Sequence, residues 1–411
     1  MGESSEVGLG EDVYVMSRTE IGSCAERMSD EVVRLRRDFH QHPEKGFEEK
    51  RTAGIIAQYL TDLGLEVKTG IAGTGVMGLL RGGRPGRTVL LRADMDALPL
   101  QEKNAAPYRS INDGVMHACG HDGHMAILLG TAALLAKHRS SLHGQVKFVF
   151  QPAEENLGGA RLMIEEGILH DPQVDAAFGL HLINQIPCGY IGSRSGEIMA
   201  SMDSFVIRVR GRGGHSAMPE GGVDAISISA RIVSSLQRLI SREIPPRTPL
   251  IVNIGTIHGG NAPNIIADLV ELSGTVRCLD EEIRRTIPLR MDRTLAEITS
   301  DMQGSHELEF EEGYPVTVND KTMANLVKGV AGDVVGVGKF LEVPPTMASE
   351  DMSFYLQRVP GCFFFVGAAG PEGTHGPHHN PCFDFDERAL TIGLKMMATL
   401  TWDFLQKALP R

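Results

Sequence analysis

The sequence predicts an α/β protein with two domains, a larger one built on a mixed sheet and a smaller α+β one inserted into it. The chain has 411 residues, more than one hydrophobic core usually holds. Strands alternate with helices over the first 200 residues, a pattern typical of a buried parallel or mixed sheet. The pattern changes near residue 201 and returns near 313. We therefore predict a discontinuous domain of residues 1–200 and 313–411, and an inserted domain of residues 201–312.

The elements of the larger domain follow from hydrophobic spacing and from helix-ending glycines. The segment "TAGIIAQYLTDLG" has apolar residues at helical spacing and ends at Gly64, a typical C-cap residue. Short, continuous apolar runs such as "QVKFVF" are typical of buried strands. On these criteria helices are predicted over 20–38, 52–64, 125–138 and 158–167, and strands over 75–80, 88–94, 145–150 and 176–182.

The inserted segment shows the order strand, helix, strand, strand, helix, strand. This is the split β-α-β unit, a self-contained ferredoxin-like sandwich of two layers. After "EEGYP" the chain returns to the larger domain with a helix, the strand "CFFFVGA" and a closing helix over 386–409. The strands of the insert are predicted over 205–210, 250–257, 269–279 and 307–311, and its helices over 223–243 and 281–302.

Composition excludes several classes of protein. An apolar content of 42% with 22% charged residues is that of a globular protein. A net charge of −12 argues against nucleic-acid binding, which needs a basic face. No apolar run approaches the roughly 18 residues of a membrane span, and the acidic start lacks the features of a secretory signal. The six cysteines show no paired spacing, so we expect reduced thiols and a cytoplasmic protein.

The stretch "MHACGHDGHM" concentrates groups that bind metals. Cys119 and His121 are two residues apart on a predicted loop before a helix, so both can face one ion. Thiolate, imidazole and carboxylate together suit zinc, with manganese, cobalt or nickel as alternatives. Not every candidate can bind one ion, so one or two belong to packing or to support of the ligands. The candidates are His117, Cys119, His121, Asp122 and His124.

Further polar side chains follow the predicted strands and are expected to meet this cluster. Asp94 and Asp96 lie at the end of one strand, Glu154 and Glu155 follow another, and His181 lies in a third. Ligands of open α/β sheets bind at the carboxyl ends of the strands. A lone histidine is more often structural than a ligand, but the set as a whole predicts a metal site. The late stretch "THGPHHNP" adds His375, His378 and His379.

The composition of the cluster favours a catalytic site over a structural one. Structural zinc is usually closed by four protein ligands rich in cysteine, and only Cys119 is well placed here. In the pair Glu154–Glu155, one carboxylate can bind metal while the other takes a proton from an activated water. The alternative for this pair is a solvated acidic pair at a helix start, which the helix dipole favours.

The inserted domain contributes three candidate residues. His215 lies on the glycine-rich loop "RGRGGHSAMP", Asn264 lies in the turn "GGNAPNIIAD", and Arg277 lies on the strand "GTVRCLD". A guanidinium group binds a carboxylate through two parallel hydrogen bonds, so Arg277 is a candidate anchor for an acidic substrate group. The alternative is an ordinary exposed strand residue.

The motifs of this chain resemble one metallopeptidase family in their order along the sequence. The resemblance is to the hippurate hydrolase branch of the M20 metallopeptidases, and it covers nearly the whole chain after residue 30. That branch includes bacterial N-acyl-amino-acid amidohydrolases, N-acetyldiaminopimelate deacetylases and plant auxin-conjugate hydrolases. The motifs that carry it include "RRDFHQHPEKGFEE", "LRADMDALPL", "MHACGHDGHMAILLG", "FQPAEEN", "GLHL", "GRGGHSAMP", "GGNAPNIIAD", "GTVRCLD", "ASEDMSFY" and "HHNP".

The resemblance implies a role for each candidate residue. Glu154 would be the general base, and Asp96 would orient a ligand or bridging group. Asp94 stands where other branches carry a metal-binding histidine, so its role stays open. His378 is the alternative register for the last ligand. The ligands of two divalent ions (zinc, manganese, cobalt or nickel) would be Cys119, His121, Glu155, His181 and His379.

The resemblance also implies an activity and an assembly. Two ions would polarise an amide carbonyl and activate water, releasing an amino acid from an N-acyl amino acid. The insert would be a lid and dimerisation domain of a homodimer or tetramer, from which His215 reaches the partner's active site and stabilises the oxyanion. Asn264, Arg277 and Glu350 would face the substrate.

Three rival functions remain at this stage. A dipeptidase or carboxypeptidase differs only in an acyl group that is itself an amino acid. A zinc-stabilised binding protein without catalysis would make Glu154 dispensable. A redox role for Cys119 lacks a partner cysteine nearby in the sequence. We expect a small-molecule substrate, with no nucleic acid and no membrane as partner.

Overall fold

The computed structural model describes residues 17–155, 158–370 and 376–406. The helices are α1 Arg18–Arg27, α2 Ser29–Gln41, α3 Lys50–Asp62, α4 His121–Lys137, α5 Gly159–Glu165, α6 Ala225–Glu243, α7 Glu281–Asp301, α8 Lys321–Val334, α9 Met352–Leu356 and α10 Arg388–Gln406. The strands are β1 Glu66–Ile71, β2 Gly75–Arg81, β3 Arg84–Asp94, β4 His143–Gln151, β5 Ala176–Pro187, β6 Ile191–Ser193, β7 Gly196–Met199, β8 Met202–Arg210, β9 Gly214–His215, β10 Leu250–Gly259, β11 Ile265–Ile266, β12 Leu269–Cys278, β13 Ser305–Tyr314, β14 Thr317–Asn319, β15 Phe340–Glu342 and β16 Gly361–Ala369.

The larger sheet has eight strands in the order β1-β2-β4-β3-β5-β16-β6-β15. Its central strands β4, β3, β5 and β16 run parallel, whereas β1, β2 and β6 pair antiparallel with their neighbours towards the centre. The carboxyl ends of β3, β4 and β5 therefore lie at one edge of the sheet. Pairing of β3 with β5 reaches Arg92 opposite Gly179, so Asp94 and His181 lie two residues further along their strands, at the same level.

Helices cover both faces of this sheet, which explains why its strands are apolar on both sides. On one face α4 is buried from His121 to Leu135 and packs against α2 and α10. This burial explains why "MAILLGTAALL" is apolar all round and lacks a polar stripe. On the other face α5 and α9 contribute Met163 and Tyr355 to a second core. Alternation along β3 sends Leu90 into that second core and Leu91 into the first.

The second sheet is antiparallel, with the order β10-β12-β8-β13. Its elements follow the predicted order β-α-β-β-α-β, and a two-stranded ribbon of β9 and β11 is added. A separate core forms where α6 and α7 pack on it, including Phe205, Ile232, Leu272 and Met291. The predicted fold class, a mixed-sheet α/β unit with an α+β insert, is confirmed. The exact domain boundaries stay a prediction.

Two predicted helices have different bounds in the structure. The helix predicted over 20–38 is two helices that meet at Met28, although its apolar residues keep one spacing throughout. The break follows packing, because α1 contacts α10 mainly and α2 contacts α4. Helix α4 begins at His121, inside the metal-binding stretch, and not after it. Gly120, with φ 95°, provides the left-handed residue that lets the chain enter the helix there.

Other predictions fall partly outside the described residues. The closing helix, predicted to residue 409, is described as far as Gln406. The acidic start of the chain and His375 also lie outside the described residues. None of the described helices has both the length and the apolar content that crossing a membrane requires.

Candidate metal centre and active site

The predicted ligands come together at the carboxyl edge of the larger sheet. Candidate ligand atoms of Cys119, His121 and His181 lie within 4.8 Å of one another. The ligand atoms of Cys119, Glu155 and His379 also lie within 4.8 Å of one another. Cys119 belongs to both groups and therefore joins them. The sequence predicts Glu155 and His181 at the ends of different strands and Cys119 and His121 on a loop before a helix, and the parallel sheet brings these positions together.

The hydrogen bonds of two histidines fix which ring nitrogen is free. Nδ1 of His121 lies 2.8 Å from the backbone carbonyl oxygen of Asp96, and Nδ1 of His181 lies 2.8 Å from that of Leu182. A carbonyl oxygen only accepts, so Nδ1 donates in both rings and Nε2 is the nitrogen left for a metal. Nε2 of His181 lies 3.4 Å from Sγ of Cys119. Among the described residues, the buried Nε2 of His121 makes no hydrogen bond, and the buried Oε1 of Glu155 makes none but lies 3.2 Å from Nε2 of His379. Buried polar atoms in this arrangement fit a bound cation.

Charge in the cluster also fits a cation. Burial, then Glu155 and Glu154, raise the pKa of the Cys119 thiol well above its ordinary value. Burial opposes the charged form of His121, but Asp94 and Asp96 outweigh it and raise its pKa to about 10. Negative charge is therefore in excess, and it holds protons on these groups. A divalent cation bound there would replace those protons and favour the thiolate.

Asp96 holds the turn that carries the two adjacent glutamates. Its two carboxylate oxygens accept from the backbone N–H groups of Glu154 and Glu155, each at 3.0 Å. Ala153, just before them, has a φ of 55°, which is uncommon for a residue with a side chain. Its N–H donates to Oε1 of Glu49 at 3.0 Å. Glu49 and Asp96 therefore set the direction of this turn, and Glu49 lacked a role in the sequence analysis.

The turn separates the two glutamates by environment. Glu154 is buried, and its carboxylate lies beside those of Glu350 and Asp351, within 4.8 Å. Burial, then Glu350, raises its pKa well above the ordinary value. Glu155 instead faces Nε2 of His379 at 3.2 Å. Because α5 begins only at Gly159, the pair does not lie at a helix start.

Glu350, which the family resemblance predicts to face the substrate, is buried in the structure. It is 1% exposed, and Oε1 lies 2.9 Å from a guanidinium nitrogen of Arg92. Arg92 is fully buried and also pairs with Asp94 at 2.7 Å and with Asp351 at 2.6 Å. Arg92 and Asp351 were not among the residues predicted for the site. An arginine within the apolar strand "TVLLRAD" was the available signal, since a buried arginine requires acidic partners.

His124 and Asp94 support the ligands through hydrogen bonds. The backbone N–H of Leu182 donates to Nε2 of His124 at 2.9 Å, so the ring proton is on Nδ1. That Nδ1 donates to Asp94 at 2.6 Å. Both nitrogens of His124 are thus in use, and its ring packs against His181 with centroids 4.6 Å apart. His124 fixes the strand that carries His181.

The surroundings of Asp122 and His117 also argue against a role as metal ligands. Asp122 accepts from Arg36 at 2.8 Å and lies 2.8 Å from Nδ1 of His40. His117 is buried, and neither of its ring nitrogens makes a hydrogen bond to any residue that the structure describes. Burial lowers its pKa to about 3, so it is neutral. Of the five candidates in "HACGHDGH", Cys119 and His121 remain as those whose ligand atoms face the other predicted ligands, with Sγ of Cys119 3.4 Å from Nε2 of His181.

The late histidines are distinguished by their direction. His379, with φ 62°, places Nε2 beside Glu155. His378 is turned into the protein, where Nε2 accepts from the backbone N–H of Asn184 at 3.3 Å and the ring packs on Phe383. The geometry favours His379 as the ligand.

The residues of the insert fall into two groups. His215 and Asn264 are both exposed and meet on the ribbon of β9 and β11, where the N–H of Ser216 donates to the carbonyl of Asn264 at 3.1 Å. Among the described residues, no hydrogen bond or ion pair joins either side chain to the metal-ligand cluster. Arg277 is half-buried and donates to the carbonyl of Met347 at 3.0 Å. It has no carboxylate within ion-pair distance in the described part of the chain.

A mixed sheet whose carboxyl edge brings a cysteine, imidazoles and a carboxylate within ligand distance, beside a second buried carboxylate, is the arrangement expected of a metal-dependent hydrolase. Residues 90–403 match peptidase family M20/M25/M40. The chain belongs to this family, and it is a hydrolase that acts on amide bonds.

Relatives and a solved structure agree with this assignment. The chain is 41% identical to YhaA of Bacillus subtilis, a protein named as an amidohydrolase, over 92% of this chain and 96% of that protein. It is 40% identical to thermostable carboxypeptidase 2 of Saccharolobus solfataricus, over 92% and 97%. It is 38% identical to IAA-amino acid hydrolase ILR1-like 4 of Arabidopsis thaliana, over 92% and 86%. The Bacillus subtilis YXEP protein, described as a dinuclear metal binding peptidase from M20 family, matches with a TM-score of 0.82 and 34% identity, over 93% and 99%.

Proposed function

We propose that this protein hydrolyses the amide bond of N-acyl amino acids and releases the free amino acid. The observation that carries the proposal is the pair Glu154–Glu155, held by Asp96 so that one carboxylate faces the ligands and the other stays buried beside them. A binding protein that uses metal only for stability has no need of the second carboxylate. The relation to an IAA-amino acid hydrolase and to a protein named as an amidohydrolase supports an N-acyl amino acid as substrate.

Two divalent ions per subunit fit this site, held by Cys119, His121, Glu155, His181 and His379. The mixture of thiolate, imidazole and carboxylate favours zinc, manganese, cobalt or nickel over calcium or magnesium. When bound, such ions polarise the amide carbonyl and lower the pKa of water towards neutrality.

Glu154 acts as the general base in this proposal. Its carboxylate takes the proton from the attacking water and then returns it to the departing amine. Burial and the neighbouring Glu350 carboxylate raise the pKa of Glu154 above its ordinary value, the direction that suits a group which takes up and returns a proton. Arg92 neutralises its acidic neighbours and keeps them in place.

His215, Asn264 and Arg277 act on the substrate from the insert. The exposed imidazole of His215 donates to the oxyanion as negative charge develops on the carbonyl oxygen. Asn264 lies on the same ribbon and contacts the acyl amino acid. Arg277 binds the substrate carboxylate, because its guanidinium is a half-buried cation without an acidic partner among the described residues.

We infer that residues 201–312 form a lid and dimerisation domain. The surface of this unit carries several large apolar side chains that are 41–54% exposed and that a partner subunit would cover. A homodimer, alone or paired into a tetramer, would cover them and bring His215 to the active site of the partner. These side chains are Ile226, Ile251, Ile257, Ile265 and Leu269. The cytoplasmic location expected from the cysteine pattern is part of the same proposal.

A dipeptidase or carboxypeptidase is the second candidate, and the relation to thermostable carboxypeptidase 2 favours it. Arg277 would bind the terminal carboxylate in either case. The difference lies in the acyl side of the scissile bond, where a peptide carries a free amine or a longer chain.

A turnover screen tests both candidates. Purified protein of known metal content is assayed on N-acetyl, N-benzoyl and indole-acetyl amino acids beside plain dipeptides, with zinc, manganese, cobalt or nickel added. Release of amino acid that requires both metal and Glu154, judged with Glu154→Gln, supports an amidohydrolase. Faster cleavage of dipeptides would favour the peptidase. Bound metal without turnover on any substrate would contradict both.

A further inference from the structure

Tyr314 connects the second sheet to the turn that carries Glu154. It is the last residue of β13 and is 6% exposed. Its hydroxyl donates to the backbone carbonyl of Glu154 at 2.5 Å and accepts from the backbone N–H of Gly158 at 3.1 Å. A phenol can do both at once. One side chain therefore bridges two backbone groups on either side of Glu155.

The peptide groups of Glu154 are thus held by two different parts of the molecule. Its N–H donates to Asp96, which follows β3 of the larger sheet. Its carbonyl accepts from Tyr314, which ends the strand returning from the insert. The direction of the Glu154 side chain depends on both contacts, because they fix the backbone on each side of its Cα.

The returning strand is itself fixed to the insert just before Tyr314. Arg284 of α7 donates to the two carboxylate oxygens of Asp203 at 2.7 and 2.9 Å, and to the carbonyl of Gly313 at 3.3 Å. The N–H of Gly313 donates to Asp203 at 3.0 Å. The backbone of Gly313 lies so close to β8 that a Cβ there would be 2.2 Å from the carbonyl oxygen of Met202, so no side chain fits at this position. A shift of the insert against the larger sheet therefore moves Tyr314 or breaks these contacts.

We propose that Tyr314 is a positioning residue, which sets the backbone of Glu154 and relays the position of the insert to it. The inference rests on the proposed role of Glu154 as general base, and Tyr314 acts through that residue without touching the substrate. A misplacement of about 1 Å in a catalytic group can cost on the order of a hundredfold in rate. The orientation of the insert would thereby determine how well the base is aligned.

The first test compares Tyr314→Phe with Tyr355→Phe. Tyr355 is also a fully buried tyrosine, and its hydroxyl meets only Sδ of Met163, at 3.6 Å, within the described residues. Each substitution removes one buried hydroxyl. We expect Tyr314→Phe to lower kcat at least tenfold with KM within twofold and metal content unchanged, and Tyr355→Phe to keep kcat within twofold. Equal kcat in the two variants would overturn the proposal.

The second test examines the relay with Arg284→Lys, which keeps the charge but loses the guanidinium fork that holds Asp203 and Gly313. We expect it to lower kcat in the wild-type background and to have little effect in the Tyr314→Phe background. If the double variant lowers kcat by the product of the two single effects, the residues act independently and the relay is overturned. If Tyr314→Phe does not fold, the Arg284→Lys variant is sufficient as a test. An unchanged kcat in Arg284→Lys would overturn the relay.

Glu154→Gln separates this inference from the proposed function. Full activity in Glu154→Gln would refute the general base itself. An inactive Glu154→Gln together with a Tyr314→Phe that behaves as wild type would refute the positioning role and leave the function standing.

Discussion

The cluster of predicted metal ligands and the β9–β11 ribbon of the insert differ in how firmly their side chains are held. The cluster consists of Cys119, His121, Glu155, His181 and His379. In the cluster the ring of His121 is held by the Asp96 carbonyl, the ring of His181 by the Leu182 carbonyl and the backbone of Glu155 by the Asp96 carboxylate. On the ribbon, His215 and Asn264 are exposed, and within the described residues their hydrogen bonds stay inside the ribbon and its two loops. Preorganised groups need rigid support, so the cluster is ready within one chain. The ribbon requires another surface, which in our proposal is the substrate together with a second subunit.

Substituting each of the two adjacent glutamates in turn should give the largest effects on kcat and on metal content. We expect Glu154→Gln to lower kcat by about 10²- to 10⁴-fold, the usual contribution of a general base, while both metals stay bound. Glu155→Gln should instead lose metal, because it removes a ligand. Metal content by mass spectrometry and kcat on the best substrate distinguish the two. Similar metal loss in both variants would show that the turn does not divide their roles.

His215→Ala tests the ribbon. We expect a loss of about a hundredfold or more in kcat, the effect of removing one oxyanion donor. The melting temperature should stay unchanged, since the side chain is exposed.

Mixing the His215→Ala and Glu154→Gln proteins tests whether His215 acts on the partner subunit. If subunits exchange freely in a dimer, one site of each mixed dimer is intact, so about a quarter of wild-type activity should return. Activity no greater than the sum of the separate variants would place His215 in its own subunit's site.

Asp96→Asn tests the support within the cluster. The amide turns one acceptor of the Glu154 and Glu155 N–H groups into a donor that faces a donor. We expect metal affinity to fall about 10- to 100-fold, as is typical when a partner of the ligands is lost. Competition with a metal chelator measures this, and unchanged affinity would show that the turn keeps its shape without Asp96.

Arg277→Lys should act mainly on substrate binding. Lysine keeps the charge but lacks the fork, so we expect KM to rise roughly tenfold with a smaller change in kcat. A substrate with an amidated carboxyl group is the control, because wild type and variant should then have similar KM values. A persisting difference with the amidated substrate would refute the carboxylate contact.

The smallest expected effect concerns pH and Glu49. Burial raises the pKa of Glu49 to about 7, from an ordinary value of 4.5. Below 4.5 the group is protonated whether folded or unfolded, so it contributes no penalty. Between 4.5 and about 7 the unfolded chain ionises first, so this group lowers stability as pH rises.

Glu49→Gln removes that dependence. Relative to wild type, the variant should gain about 1 to 3 kcal/mol in free energy of unfolding between pH 4.5 and pH 8, as measured by urea denaturation. A constant difference between the two proteins across this range would show that Glu49 does not titrate there.

The sequence by itself determined the fold class and the neighbourhood of the site. Hydrophobic spacing identifies most strands and helices, and polar residues at the ends of parallel strands must share one edge of the sheet. Cys119, His121, Glu155, His181 and His379 therefore meet where the strand pattern and the family resemblance predicted. Their roles as ligands stay predictions that the metal measurements above address.

The tertiary structure decided which groups are free and which are held. The break at Met28, the pairing of Arg92 with Glu350, the hold of Glu49 on Ala153 and the contact of Tyr314 with Glu154 all join different elements. His378 and His379 are chemically identical neighbours, and only backbone direction separates them. Local patterns record which residues prefer a strand or a helix. They do not record which distant group satisfies a buried donor or acceptor, because that depends on packing across the whole chain.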